Sequence, residues 1–193
     1  MIQAELFACA HMLPEGFTYV ADFLTPAGER ELLERIATLE FQEAQYKQWR
    51  ARRRIVAFGG SYDFYRNRLA PAPPIPDFLH ALRDQAAAWA GLASSRLKHG
   101  IIAEYRPDTP LGWHRDVGEF EEVIGVSLLG RARMRFRHWP PGPGERAGCT
   151  IELEPRSVYL MRGPARWQWQ HAISPTRELR YSITFRTRAG RDC

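Results

Sequence analysis

In the run LGWHRDVGEF, His114 and Asp116 stand two residues apart, a spacing that on extended backbone sends both side chains off one face. An imidazole and a carboxylate so placed can reach one metal ion. A third donor is needed, and His171 in WQWQHAISP, 57 residues further on, is a candidate that a barrel could bring back to the first two. Two imidazoles and one carboxylate on one side of a metal leave the opposite positions free. That is the arrangement of iron(II) sites that must take up a co-substrate and dioxygen. Zinc accepts the same three donors, and either histidine alone could be a hydrogen-bonded side chain beside a core.

Nine residues after His171 comes RYSITFR, in which Arg180, Ser182, Thr184 and Arg186 share one face at a period of two while Tyr181, Ile183 and Phe185 share the other. If the apolar set meets a neighbouring layer, the polar set points into a cavity. Two inward guanidiniums lose several kcal/mol of solvation, on the order of the penalty for any unpaired buried charge, unless an anion meets them. A dicarboxylate beside a metal would satisfy both. The alternative is an edge strand with two solvated arginines.

These residues need elements to position them. From Thr25, TPAGERELLERIATLE offers an N-cap, a proline in the first turn and apolar Leu32, Leu33, Ile36 and Leu39, which predicts an amphipathic helix. A second helix opens near Pro76 and runs to a stop at Gly91, with Phe78, Leu79, Leu82, Ala86 and Trp89 as its stripe. Arg50 to Tyr65 mixes basic and aromatic residues around Gly59 and Gly60 and reads as a hairpin or ordered loop. The proline-rich stretch from Ala70 to Pro76 reads as a rigid connector within one domain. Beyond Lys98, seven strand-like runs follow: HGIIAEY, EVIGVSLL, RMRFRHW, TIELE, SVYLMR, WQWQHAIS and RYSITFR. They predict a sandwich or barrel with helices outside, and PPGPG at Pro140 to Gly144 links two of the strands.

With 193 residues the chain suits a single domain over 1–193. Hydrophobic residues at 45% and charged residues at 25% are those of a globular protein, and no stretch approaches the ~20 apolar residues of a membrane span. Met1 to His11 lacks the pattern of a secretory signal, so the cytoplasm is the expected location and no membrane partner is expected. Cys9, Cys149 and Cys193 are odd in number and far apart, which points to free thiols. A net charge of +5 and a pI near 9.4 favour polyanionic partners, and no protein partner is evident.

Taken together in order, Tyr105, His114, Asp116, His171, Arg180, Thr184 and Arg186 resemble the AlkB family of iron(II)/2-oxoglutarate-dependent dioxygenases, over roughly residues 98 to 188. The resemblance implies an α+β fold: a double-stranded β-helix, or jelly roll, over 98–188, with N-terminal helices packed outside and a substrate lid within 1–97. It implies that His114, Asp116 and His171 bind Fe(II), that Tyr105 and Arg180 bind the distal carboxylate of 2-oxoglutarate, and that Arg186 lies near the chelating carboxylate. Ser182 and Thr184 complete the implied co-substrate set. Two departures stand out, Ala103 and Ser182, each where the family often has asparagine; Ala103 cannot donate a hydrogen bond from its side chain.

The implied reaction consumes 2-oxoglutarate and O2, yields succinate and CO2, and hydroxylates a substrate carbon, commonly an N-linked methyl whose hemiaminal releases formaldehyde. Alkylated DNA or RNA is the implied partner, and repair by demethylation the implied role. Arg52, Arg53, Phe58, Tyr62 and Phe64 fall where the family places its nucleotide-recognition lid, with arginines for phosphates and aromatic faces for an extruded base. The other reading of this segment is a half-buried hairpin whose aromatics fill the core under a solvated basic edge. Trp113 is expected to pack on the far side of its strand from the metal. Two further functions remain open: the same chemistry on a protein or small molecule, and a non-catalytic basic module that binds nucleic acid.

Overall fold

The computed structural model describes residues 13–46, 49–66, 68–144 and 148–190, with the backbone alone described at 44–46 and 49–51. The readings of Met1 to His11, Cys9 and Cys193, and the side chain of Arg50, lie outside the described residues.

The elements in chain order are β1 (Phe17–Val20), α1 (Pro26–Ile36), β2 (Gln42–Tyr46), β3 (Trp49–Phe58), β4 (Ser61–Asp63), β5 (Arg68–Ala70), α2 (His80–Ala90), β6 (Leu97–Tyr105), β7 (Leu111–His114), β8 (Phe120–Leu129), β9 (Ala132–His138), β10 (Cys149–Leu153), β11 (Val158–Met161), α3 (Pro164–Trp167), β12 (Trp169–Ile173) and β13 (Arg180–Arg188). Seven strands form one sheet in the order β1-β11-β8-β13-β6-β3-β2, four form a second in the order β10-β9-β12-β7, and β4 pairs with β5 alone. Every strand pairing is antiparallel. This is a double-stranded β-helix, with the two larger sheets closing on a shared interior.

The alternation seen in RYSITFR holds through the larger sheet. Ile183 and Phe185, together with Ile102, Ile124, Val126, Leu128, Val158 and Leu160, face outward onto Leu32 and Ile36 of α1 and Leu82, Ala86 and Ala87 of α2. Fully burying a side chain such as Phe185 contributes roughly 1.5–3 kcal/mol, so this layer fixes which face of β13 turns inward. The inward set, Tyr105, Val123, Tyr159 and Met161, meets Met134, Phe136, Leu153 and Ile173 of the smaller sheet.

α1 starts at the expected cap but stops at Ile36, short of Leu39, and α2 starts at His80, past Pro76, and stops at the expected glycine. Thr25 Oγ1 accepts from Gly28 N at 3.1 Å, and Gly91 closes α2 in the left-handed conformation at φ 69°. A short 3-10 turn at Asp77–Leu79 precedes α2.

Several strand expectations change. The Arg50–Tyr65 segment is not a hairpin of its own: β3 joins the large sheet between β2 and β6, held by Arg54, whose Nε and Nη2 reach both oxygens of the buried Glu104 at 2.8 Å. With β1 it brings the N-terminal half into the jelly roll as strands. Trp167 belongs to the helical turn α3, and β12 begins only at Trp169. β7 ends at His114, so Asp116 stands on the loop that follows it.

Candidate active site

β7 and β12 are neighbours, with His114 directly opposite His171 in the register. Their rings lie 4.2 Å apart between centroids. Asp116 reaches the same point from the loop beyond β7, its Oδ2 3.8 Å from His171 Nε2. One donor atom from each of the three lies within 4.8 Å of the other two, and among the described residues this is the only such group. The strand-face argument for pairing His114 with Asp116 therefore gives way to a strand end followed by a turn that brings the carboxylate round.

His114 and Asp116 are each held from behind. His114 Nδ1 lies 2.9 Å from Gly112 O, a carbonyl that can only accept, so Nδ1 carries the proton and Nε2 keeps its lone pair. Arg186 Nε donates to Asp116 Oδ1 at 2.9 Å, and Arg186 Nη1 donates to Thr184 Oγ1 at 2.9 Å. Arg166, which is buried, donates from Nη2 to Val117 O at 2.7 Å and Phe120 O at 2.8 Å, pinning the loop that carries Asp116.

Burial lowers the pKa of His114 and takes that of His171 well below the usual value, with Asp116 pulling both back only in part. For Asp116, burial raises the pKa, but Arg186 first and then the two histidines and Arg166 outweigh it, so the carboxyl sits below its ordinary range. Neutral imidazoles beside an ionised carboxylate are the protonation states that a divalent metal requires of its ligands.

Deeper along the same face of β13 is Arg180, 1% exposed. Its Nη2 donates to Ser127 Oγ at 2.9 Å and its guanidinium lies 5.0 Å over the Tyr105 ring. Its Nε and Nη1 are enclosed and meet no hydrogen-bond partner among the described residues. Two unsatisfied nitrogens on a buried cation cost several kcal/mol, on the order of a broken buried ion pair, so a carboxylate is the group that fits. Arg180, Ser182, Thr184 and Arg186 thus form one inward row from this socket to Asp116, with Ser182 beside Ala103 and Ser127. Thr184 is already engaged as the acceptor for Arg186.

Two residues of this interior carry no motif. Tyr159, on β11, stands among Tyr105, Asp116, Arg180 and Arg186; burial raises its pKa, helped by Asp116. Its ring crosses β8 at Gly125, where an added Cβ would come within 2.2 Å of it. β11 is buried along its whole length, so nothing in SVYLMR marked this ring as the inward one. Arg166 had no signal at all, since it works on backbone carbonyls through the fold.

The expected substrate residues divide. Phe58 is 5% exposed and packs in the helix-side core, so it cannot meet a substrate; as part of β3 it points outward onto α2 and its neighbours. Arg52 is exposed on β3, while Arg53 is half-buried with its Nε enclosed and close enough to depress the pKa of His114. Tyr62 and Phe64 meet edge to face at 4.9 Å on the β4–β5 hairpin. Burial and Glu119, on the loop after Asp116, raise the pKa of Tyr62. That hairpin begins at Gly60, packed so tightly on His99 that a Cβ would lie 2.7 Å from the ring. Trp113 faces away from the metal donors, under the guanidiniums of Arg135 and Arg137.

Comparison with known proteins agrees with this geometry. The sequence profile of the 2OG-Fe(II) oxygenase superfamily matches residues 16–186. An uncharacterised protein, L905, of Acanthamoeba polyphaga mimivirus is 31% identical over 191 residues, covering 89% of this chain and 84% of the viral one. The Xenopus tropicalis tRNA (carboxymethyluridine(34)-5-O)-methyltransferase alkbh8 is 28% identical, covering 84% of this chain but 26% of the frog protein. The alkylated DNA repair protein ALKBH8 homolog of Arabidopsis thaliana is 28% identical over 82% of this chain and 50% of its own length. The chain thus spans a quarter to a half of these two relatives. The solved structure of OsALKBH1 shares the fold, with a TM-score of 0.70 over 91% of this chain and 98% of its own, at 17% identity.

Proposed function

The chain belongs to the 2OG-Fe(II) oxygenase superfamily, as an AlkB-like dioxygenase whose cofactors are Fe(II), 2-oxoglutarate and O2, and from that premise we propose that it demethylates alkylated nucleic acid. His114, Asp116 and His171 hold the iron, and Arg180 with Tyr105 holds the far carboxylate of 2-oxoglutarate. When bound, iron and 2-oxoglutarate supply the oxidation, giving succinate, CO2 and a hydroxylated substrate carbon. A hydroxylated N-linked methyl is a hemiaminal, whose C–N bond breaks to release the carbon and its oxygen as formaldehyde while the nitrogen takes up the proton.

The chain's own residues do the positioning. Arg186 keeps Asp116 turned so that Oδ2 faces His171, and Thr184 keeps Arg186 in place. Arg166 keeps the Asp116 loop closed on the site. Arg180 presents two N–H groups to a carboxylate and Tyr105 walls its other side. The buried apolar side chains of Phe136, Met134 and Ile173 keep water from the interior.

The observation that carries the co-substrate reading is the pair of unpartnered N–H groups on Arg180. Support for a nucleic-acid substrate comes from the basic charge, from Arg53 near His114 and the exposed Arg52 next to it in sequence, from the Tyr62 and Phe64 pair near Glu119, and from the Arabidopsis relative's name. The test is succinate and formaldehyde formation with a panel of methylated DNA and RNA oligonucleotides. Because the frog relative's name places it on tRNA, the panel includes tRNA. We expect stoichiometric methyl loss with at least one member. Succinate formation that no nucleic acid stimulates, but a protein or small molecule does, would move the assignment to that substrate class.

A further inference from the structure

The outer face of the four-stranded sheet carries a feature that the active site does not use. On β9 the outward residues are Arg133, Arg135 and Arg137. Arg133 is neutralised by Glu152 of β10 at 2.6 Å, and just before β9 Arg131 is neutralised by Glu154 at 2.6 Å. Among the described residues, Arg135 and Arg137 meet no carboxylate. They lie over the ring of Trp113 from 5.0 and 4.5 Å, across Ala172, whose methyl leaves room for them. Arg137 Nε donates to Gln170 Oε1 at 2.7 Å, and Arg135 Nε is enclosed with no partner. Beside them Arg115 lies 4.8 Å over the ring of Trp139, which is 43% exposed, while its Nη1 donates to Trp167 O.

Of these five arginines, two are thus matched by acid and three by indole. Stacking on a ring fixes a guanidinium in place and leaves the N–H groups beyond those given to Gln170 and Trp167 for an anion, whereas a carboxylate would have consumed them. A solvated charged face would leave its arginines mobile, and a packed interface for a neutral protein would carry fewer cations. Fixed guanidinium edges next to an open indole match a chain of phosphates that carries bases able to stack.

We propose that this face is a second nucleic-acid-binding surface, in which Arg135, Arg137 and Arg115 hold the phosphates of a single strand and Trp139 stacks one of its bases. The strand it holds is the part flanking the target nucleotide. Trp113 and His114 are adjacent on β7, the edge strand of this sheet, so a strand leaving the active-site mouth reaches the outer face by passing one strand edge. The proposal rests on the reading that the substrate is a nucleic acid and adds a site to it.

The test uses a fluorescein-labelled, unmodified 20-nucleotide single strand, with affinity measured by anisotropy against salt. Four proteins are compared: the parent, Arg135→Gln/Arg137→Gln, Arg135→Lys/Arg137→Lys and Arg52→Gln/Arg53→Gln. Loss of two phosphate contacts should weaken binding about tenfold at low salt and reduce the slope of log affinity against log salt by about 1.4, since each contact on a single strand contributes about 0.7. The lysine pair keeps the charge but not the ring stacking, so it should retain the slope while losing affinity a few-fold. Release of succinate in the absence of nucleic acid should match the parent in both β9 variants, which reports an intact site. Parent-like affinity and slope in the glutamine pair would overturn the proposal. If that happens while the Arg52/Arg53 variant loses binding, the nucleic-acid reading stands without this surface; if the parent binds no strand, both fall.

Discussion

Arg186 Nε sits 2.9 Å from Asp116 Oδ1, and the other oxygen of that carboxylate faces His171 Nε2 at 3.8 Å. One oxygen is thereby assigned to the protein and the other to the site. A free carboxylate could rotate and chelate through both oxygens, filling a position that the co-substrate needs. The same contact is the main reason Asp116 is ionised despite its burial.

Replacing Arg186 with glutamine should therefore weaken metal binding by about 10- to 100-fold, the usual loss when a group that orients a ligand is removed. Anaerobic titration with Mn(II) measures this without turnover. Lysine at this position restores charge but not the two-point hold on Asp116 and Thr184, so it should recover only part of the affinity. Unchanged Mn(II) affinity in the glutamine variant would mean that Asp116 is oriented by its loop alone.

Arg180→Lys should lower affinity for 2-oxoglutarate at least tenfold while Mn(II) binding survives. A single ammonium cannot reproduce both the contact to Ser127 and the two N–H groups left for an anion. Calorimetric titration of 2-oxoglutarate into the Mn(II)-loaded proteins reads the difference. Equal affinities would place the anion elsewhere.

The metal-free protein should lose stability as pH falls below about 6.5. His99, 2% exposed, has its pKa lowered to about 4, first by burial and then by Arg188, Arg186 and Lys98. In the unfolded chain a histidine takes up its proton near 6.5, so between 6.5 and about 4 the unfolded state binds more protons and stability rises with pH. Each such histidine contributes a slope of up to about 1.4 kcal/mol per pH unit in that window. His114 and His171, lowered in the same direction, add to it. Urea midpoints measured from pH 7.5 to 4.5 should show a shallower decline in His99→Gln. An identical decline would mean that His99 takes up its proton in the fold.

Gly125→Ala should destabilise the fold by about 1–3 kcal/mol, the range for overpacking a core, because the new methyl would overlap the ring of Tyr159. Removing the ring should relieve it, so Gly125→Ala/Tyr159→Leu should recover part of the loss relative to Tyr159→Leu alone. Thermal unfolding of the three variants and the parent closes the cycle. Additive losses would show that the strand, not the ring, resists the methyl.

What the sequence made legible was what depends on local period. The row Arg180, Ser182, Thr184, Arg186 could be read because strand alternation is a property of the chain itself, and the core on the other face confirms its direction. The helix ends at Thr25 and Gly91 were legible for the same reason. Asp116 was found by its spacing, yet its route to the site is a turn held by Arg166, and a side chain that bonds carbonyls 46 and 49 residues away leaves no local mark. Phe58 was misplaced because a basic, aromatic run looks alike whether it forms a lid or the flank of a sheet. Its partner strand, β6, decides that, and pairing at such a distance is not written in β3.

Removing the Tyr62 side chain should weaken oligonucleotide binding with little change in its dependence on salt. Tyr62 and Phe64 meet edge to face on the β4–β5 hairpin, and Tyr62 lies near Glu119 on the loop that also carries Asp116. Stacking a base on a ring contributes about 1–3 kcal/mol and releases no counterions. A Tyr62→Leu protein should therefore bind about 5- to 150-fold more weakly, that energy range expressed as affinity, at an unchanged slope of log affinity against log salt. Neutralising Arg52 and Arg53 together should instead make the slope shallower by up to about 1.4, since each phosphate contact on a single strand contributes about 0.7. Measuring both variants against salt, with methyl loss from an oligonucleotide alongside, separates the two roles. Full affinity and full turnover in both would leave the hairpin structural and turn the search towards a protein or small-molecule substrate.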